Sequence, residues 1–215
     1  MGAIARSIAN NITTSGVFTS SAITNSSVTG ITVLANASDG ITLISSQTAS
    51  NSASISFTSG LTSTYKAYKF VFSNIHAITN NTTFQFNLST DSGSNYNVTK
   101  TTTFFNAMQT ESGTNESLNY DNGHDLAQST SYQNIARNLK NDADASASGT
   151  LTLFNPSSTT YVKHFLSSFN GIQFEDYCQN WVVAGYGNTT SAVNAIRFQM
   201  SSGNFDGTIY LYGIK

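Results

Sequence analysis

Apolar and polar residues alternate along much of the chain with the two-residue period of a β-strand. The clearest case is Thr82–Ser89, where Phe84, Phe86 and Leu88 occupy every second position. Such alternation places one set of side chains on a buried sheet face and the other set on the opposite face. The pattern therefore predicts a chain built mainly of half-buried strands.

Strand-like runs separated by turn residues recur along the rest of the chain. Besides Thr82–Ser89, they cover residues 41–44, 53–57, 65–75, 96–105, 149–154, 160–166, 181–186, 195–200 and 208–214. About ten short strands without a βαβ rhythm predict an all-β fold, an antiparallel β-sandwich with a jelly-roll arrangement. The last two runs predict two adjacent antiparallel strands that close one sheet.

Residues 106–148 interrupt this rhythm. The sequence from 106 to 122 is typical of a loop, and Ile135 and Leu139 are spaced as on one face of a helix. The pattern predicts a long surface insertion with a short helix over residues 134–139. Surface insertions of this kind carry function more often than sheets do.

The first 38 residues differ from the rest because they contain few aromatic residues and only short runs of one or two apolar residues. Such a segment offers too little apolar area to build its own core, so it needs a partner surface. We therefore predict a docking or oligomerisation arm over 1–38, ahead of a β-sandwich domain over 39–215. A flexible leader is the alternative. The residues predicted to make the arm's contacts are Ile4, Ile8, Val17, Phe18, Ile23, Val28 and Ile31.

The low content of charged residues limits the classes of partner that the protein is expected to bind. Only 9% of the residues are charged and the formal net charge is −2, which disfavours a nucleic-acid role because that role needs a basic surface. No apolar run approaches the length of a membrane span, and the first residues lack the apolar core of a signal peptide. We therefore expect no membrane insertion and no use of the secretory pathway.

The single cysteine, Cys178, excludes an internal disulfide framework. Its neighbours Tyr177 and Gln179 form no nucleophile signature, so a partly buried structural thiol is predicted. Acidic pairs such as Glu175 and Asp176 lie in turn-like sequence, where aspartate is favoured for its own backbone hydrogen bonds. No general acid, base and oriented partner can be named together, so a non-enzymatic protein is expected.

Two loop segments provide candidate calcium ligands. The candidate residues are Asp121, Asp125, Asp142 and Asp144, because hard cations prefer oxygen ligands from loops. Neither segment has the twelve-residue spacing of an EF-hand, so solvated turns are the favoured interpretation and no cofactor is expected.

Aromatic residues in or beside the predicted loops are candidates for contact with a surface ligand such as a glycan. The candidates are Tyr120, Tyr132, Phe174 and Tyr177. Amphipathic rings of this kind stack on ligand faces, although most aromatic residues of a domain belong to its core.

Several segments in a fixed order carry a resemblance. They are residues 59–65 (SGLTSTY), 74–76 (NIH), 89–99 (STDSGSNYNVT), 154–160 (FNPSSTT), 191–198 (SAVNAIRF) and the last strand with its preceding turn. They resemble the C-terminal domain of structural proteins from tailed bacteriophages, especially phages of marine bacteria and cyanobacteria. The resemblance covers most of residues 41–215, supplies no catalytic motif and leaves 1–40 largely uncovered.

What the resemblance implies is a virion component, most often a tail fibre or other tail protein. We expect a tail fibre or appendage that docks through its arm and presents the sandwich to the host surface. The expected partners are copies of itself, with a homotrimer preferred, other phage virion proteins, and a host cell-surface glycan or protein. A capsid decoration protein is the first alternative and a carbohydrate-active enzyme the second. The expected location is the virion, after assembly in the host cytoplasm.

Overall fold

Twelve antiparallel strands make up the part of the chain that the computed structural model describes, residues 40–215. The strands are β1 (Ile41–Ser52), β2 (Ser54–Phe57), β3 (Ala67–Ala77), β4 (Thr82–Ser89), β5 (Lys100–Thr110), β6 (Glu116–Tyr120), β7 (Gln133–Leu139), β8 (Ala147–Phe154), β9 (Lys163–Gln173), β10 (Tyr177–Gly187), β11 (Ala195–Met200) and β12 (Phe205–Ile214). These residues contain no helix, so the all-β prediction is confirmed. They form a compact unit, Gly40–Lys215.

The predicted arm contacts Ile4, Ile8, Val17, Phe18, Ile23, Val28 and Ile31 lie outside the described residues. Within the described part, no helix has the length and apolar character needed to cross a bilayer.

The hydrogen-bonded ladder folds over itself into two layers. One layer has eight strands in the order β1-β12-β3-β8-β9-β10-β5-β6, and the other has four in the order β7-β4-β11-β2. A single residue pair, Leu139 with Gln173, connects the layers at β7 and β9. The strands thus form a sandwich that is joined along one side.

Eight of the strands follow jelly-roll order. When β1, β2, β3, β4, β7, β8, β11 and β12 are numbered one to eight, the two layers read 1-8-3-6 and 2-7-4-5. Each layer thus interleaves strands from both halves of the chain, as two Greek keys require. The remaining hairpins, β5–β6 and β9–β10, add four strands to the first layer and widen it to eight.

Phenylalanine rings from both layers meet in the core. Phe198 of β11 packs edge-on against Phe70 and Phe72 of β3, with ring centroids 5.2 and 4.9 Å apart. Phe84 and Phe86 of β4 reach across in the same way to Phe169 and Phe165 of β9. Alternating phenylalanines on facing strands therefore join the layers, which explains why their two-residue period is so clear in the sequence.

The prediction of a helix over 134–139 is wrong, because these residues lie in β7. Ile135, Ala136 and Leu139 are all buried, and the pairing of β7 with β4 shifts register on either side of Phe84. A β-bulge opposes two residues to one and so changes which positions face inward. Asn138, with φ of 55°, takes the left-handed conformation within this irregular strand. The bulged strand thereby acquires apolar spacing that imitates a helix.

The loop predicted over 106–122 is also wrong in part. β5 continues to Thr110, and after a turn β6 covers Glu116–Tyr120. The inward positions of β5 include Lys100, Thr102 and Asn106, which are buried although polar. The part of β5 that the sequence does not predict begins at Asn106, where a polar residue at an inward position interrupts the apolar alternation that marks the other strands.

The two final strands do not pair with each other. β11 lies between β2 and β4, whereas β12 lies between β1 and β3 in the opposite layer. Residues 201–204 therefore cross from one layer to the other. Each of the two strands buries one apolar face. Two strands show this pattern whether they are neighbours in one sheet or face each other across the core, so the sequence does not distinguish the two arrangements.

Candidate functional site

Exposed apolar side chains concentrate on the outer face of the eight-stranded layer, which we call the outer face. Of ten large hydrophobic residues exposed within 40–215, eight lie on it. They are Ile41, Leu43, Phe105, Leu118, Tyr120, Phe154, Leu166 and Val182. The other two, Ile78 and Tyr161, lie outside the strands.

The strand register brings several of these side chains together. Val182 of β10 is opposite Phe105 of β5, and Phe105 is opposite Tyr120 of β6. The rings of Phe105 and Tyr120 are 5.1 Å apart and meet edge to face at 85°. Leu118, on the same edge strand, is 77% exposed. We call Phe105, Leu118 and Tyr120 the aromatic rim.

A carboxylate fixes the outermost ring of the rim. The Tyr120 hydroxyl donates a hydrogen bond to Asp125 Oδ2 at 2.5 Å. This bond raises the pKa of Tyr120, with smaller contributions from burial and from the charge of Asp125. The ring is therefore presented to solvent with its hydroxyl held by the loop that follows β6.

The segment after β6 packs against β5 and β7, and one of its carboxylates forms an ion pair. The Asp121 backbone N–H donates to the Phe104 carbonyl at 2.8 Å, and its carboxylate lies 3.2 Å from Nη1 of Arg137 on β7. His124 packs against Phe104. Burial lowers the pKa of His124, opposed by Asp121 and reinforced by Arg137. The ion pair thus anchors the loop that holds Tyr120.

A polar layer lies on the inner side of the sheet near this ion pair. Asn106 and Trp181 are directly opposite each other on β5 and β10, and Gln179 is the next inward residue of β10. Their buried atoms Asn106 Oδ1, Trp181 Nε1 and both polar atoms of Gln179 have no hydrogen-bond partner among the described residues. The widened part of the sheet therefore contains buried polar atoms without hydrogen-bond partners, whereas the core between the layers is built of phenylalanine rings.

The four calcium candidates are not brought together. Asp121 is paired with Arg137, Asp125 accepts from Tyr120, and Asp142 lies 2.8 Å from Lys140. Asp144 is exposed in the turn before β8. Within the described residues, no three or more His, Cys, Asp or Glu side chains are grouped as a metal site would require.

The four candidate aromatic residues are dispersed as well. Tyr120 is exposed on the outer face, whereas Tyr132, Phe174 and Tyr177 are half-buried. Tyr177 pairs with Thr110 and Gln173 at the far end of β10. Tyr120 is therefore the best placed of the four for contact with a partner.

Cys178 is exposed, so the prediction of a partly buried thiol is wrong. It occupies an outward position on β10, on the face opposite to the buried Gln179 and Trp181 and on the same face as the exposed Val182. The alternation of the strand decides its exposure. The sequence predicts this strand only over 181–186, which leaves Cys178 outside it, whereas β10 begins at Tyr177.

Two buried lysines were also missed by sequence reasoning. Lys100 and Lys163 are the inward residues on either side of Gly187, on β5 and β9. Lys163 Nζ donates to the carbonyl oxygens of Tyr161 at 2.6 Å and Thr189 at 3.1 Å. Burial lowers the pKa of both lysines, to about 7 for Lys100. The sequence does contain a signal for their burial, because each lysine is the first residue of its strand and shares the two-residue period of the inward-facing positions.

A scan against protein-family models, a search of the curated proteins and a search of the solved structures each found no match.

Proposed function

We propose that this chain is a structural protein of a tailed-bacteriophage virion, a component of a tail fibre or related appendage. Residues 1–38 dock onto other virion proteins and onto copies of the same arm, with a trimer as the preferred assembly. The β-sandwich that follows is presented to the host surface. Its role is to bind and assemble, without catalysis.

The outer face is the observation that carries this proposal. Soluble monomers rarely expose contiguous apolar patches larger than a few hundred Å², and larger patches mark interaction sites. The charged residues that the eight strands direct outward are Lys69, Glu116 and Asp206. A broad, nearly uncharged sheet face suits a protein that packs closely against neighbours in a particle.

The aromatic rim supports contact with the host. The exposed ring of Tyr120 lies at the sheet edge, and the Asp125 carboxylate beside it offers hydrogen-bond acceptors. Sugars are recognised by such combinations, in which an amphipathic ring stacks on the sugar and polar groups orient it. We therefore assign host-glycan contact to the rim, and assembly to the centre of the outer face.

A capsid decoration protein remains the rival proposal, because a shell protein also needs a broad face that packs against neighbours. Copy number separates the two. Quantitative mass spectrometry of purified virions should find about three to a few tens of copies for a symmetric fibre. Hundreds of copies would favour decoration of the head, and absence from the particle would overturn both proposals.

Deletion of residues 1–38 tests the arm. We expect the truncated chain to be soluble, with the circular dichroism of a β-protein, and to be missing from particles assembled in its presence. The full-length chain is the control. Incorporation of the truncated chain at the normal copy number would contradict the docking role of the arm.

A further inference from the structure

We propose that the centre of the outer face, away from the aromatic rim, packs against the same part of a second copy of this chain. The resulting contact is a two-fold, face-to-face stack of sheets. The inference rests on the described strands alone and holds whether or not the chain belongs to a virion.

The centre of the outer face is large enough for a stable interface. The six strands from β1 to β10, which leave out the rim strands β5 and β6, lie about 4.8 Å apart and make a face about 29 Å wide. The eleven-residue strands β3, β9 and β10 each rise about 36 Å along it. A stable interface of standard size buries about 800 Å² on each partner. The outer face is large enough to supply that area, whereas a bound glycan would cover only a fraction of it.

Apolar residues lie near the centre of the outer face. Leu166 on β9 and Val182 on β10 lie near the middle of the layer, and Leu166 is 54% exposed. Leu166 is opposite Ala184, and Val182 is opposite Ser168. Small residues therefore alternate with large ones at the centre, which leaves spaces into which the side chains of a facing sheet can insert. Depletion of charge at an apolar centre is the compositional mark of a protein interface.

The distribution of charge on the outer face is compatible with a two-fold contact. A two-fold interface brings the same surface of each copy together, so a face rich in one sign of charge would repel itself. Lys69, Glu116 and Asp206 provide one positive and two negative charges across the whole face, and none of them belongs to the central strands β8, β9 and β10. The centre of the face can therefore meet its own copy without like-charge contact.

Sedimentation equilibrium of the full-length chain tests the proposal. The wild-type chain and a Leu166→Lys/Val182→Lys double variant are compared at about 1 to 100 μM, a range in which many specific complexes associate. Placing lysines in the centre buries unpaired charge in the interface. We expect the association constant to fall at least tenfold and the average mass of the assembly to halve. If the arms join three chains, the face-to-face contact pairs two trimers, and its loss again halves the mass of the assembly.

The matched control is Ile78→Lys/Tyr161→Lys, which changes two exposed hydrophobic residues that lie off the outer face. This variant should keep the mass of the wild type. Circular dichroism and thermal unfolding verify that each variant is folded. A milder pair, Leu166→Ser/Val182→Ser, replaces the lysine variant if that variant misfolds, and it should weaken association in the same direction.

Two results would overturn the proposal. One is a wild-type chain whose mass does not change with concentration and is the same as that of the double variant. The other is a face variant that keeps its mass in solution yet fails to enter virions, which would assign the face to another virion protein. The virion proposal fails by a different measurement, the absence of the chain from particles, so the two failures are distinguishable.

Discussion

Lys100 Nζ donates a hydrogen bond to Asn87 Oδ1 at 2.5 Å inside the sandwich, and a second one to the Val98 carbonyl at 2.8 Å. Lys100 is fully buried and has no acidic partner among the described residues. The Asn87 amide in turn donates to the carbonyl oxygens of Tyr96 and Thr130. This pair of side chains therefore ties β4 and β5 to the segments that precede and follow the β5–β6 hairpin.

The buried lysine makes stability depend on pH. Burial lowers the pKa of Lys100 from 10.5 to about 7, so between these values the unfolded chain binds more protons than the folded chain. The free energy of unfolding should therefore rise as the pH increases from about 7 towards 9.5, by up to about 1.4 kcal/mol per pH unit. Urea unfolding at intervals of half a pH unit measures this slope.

Lys100→Met should reduce that slope, and because burial also lowers the pKa of Lys163 part of the slope should remain. The matched control is Lys66→Met, which removes an exposed lysine and should leave the slope unchanged. Equal slopes in the wild type and Lys100→Met would show that Lys100 does not titrate in this range.

Phe198→Ala should be strongly destabilising, because its ring contacts Phe57, Phe70, Phe72, Phe84 and Phe86 in both layers. Removal of a buried phenylalanine ring costs about 3 to 5 kcal/mol through lost contacts and the cavity that remains. Chemical denaturation measures this cost. Tyr161→Ala, at a side chain that is 70% exposed, should change stability by less than about 0.5 kcal/mol. Similar losses for the two variants would contradict the described core.

Gly149→Ala should also destabilise the fold. A methyl group there would lie 2.6 Å from Cγ and 2.8 Å from Cα of Phe169, whose ring packs against Phe72. Forcing apart a well-packed core costs about 1 to 3 kcal/mol. Gly40→Ala is the control, since no atom lies within 4 Å of the added methyl position. Thermal unfolding compares them, and unchanged stability of Gly149→Ala would argue against this packing of β8 on β9.

Tyr120 provides a direct test of the rim. Under the proposed virion role, we expect phage carrying Tyr120→Ala to adsorb to the host about tenfold more slowly, because loss of an aromatic contact costs about 0.5 to 1.5 kcal/mol in each copy and several copies act together. Tyr120→Phe keeps the ring but loses the bond to Asp125, so its adsorption should lie between that of Tyr120→Ala and the wild type. Tyr161→Ala is the exposed-tyrosine control. Adsorption of Tyr120→Ala at the wild-type rate would remove the rim from host contact.

Part of the fold is readable in the sequence because local alternation reports burial directly. Phe84, Phe86 and Leu88 mark β4 correctly, and Tyr68, Phe70 and Phe72 mark β3. The turn at residues 155–158, with its single proline, also forms as expected, since Ser158 N–H donates to the Asn155 carbonyl. Where an inward position is polar, as at Asn106 of β5, the apolar alternation is interrupted, and the sequence predicts an end to the strand at residue 105 although it continues to Thr110.

The amino-acid sequence by itself determined that this is an all-β chain, with low charge and strands whose phenylalanines alternate. Only the tertiary structure decided that β11 and β12 lie in opposite layers, that β7 is a bulged strand and that eight exposed hydrophobic residues share one outer face. The physical reason is the range of the interactions. A side chain's preference for burial is local, whereas its strand's neighbour and layer depend on contacts between residues far apart in the chain.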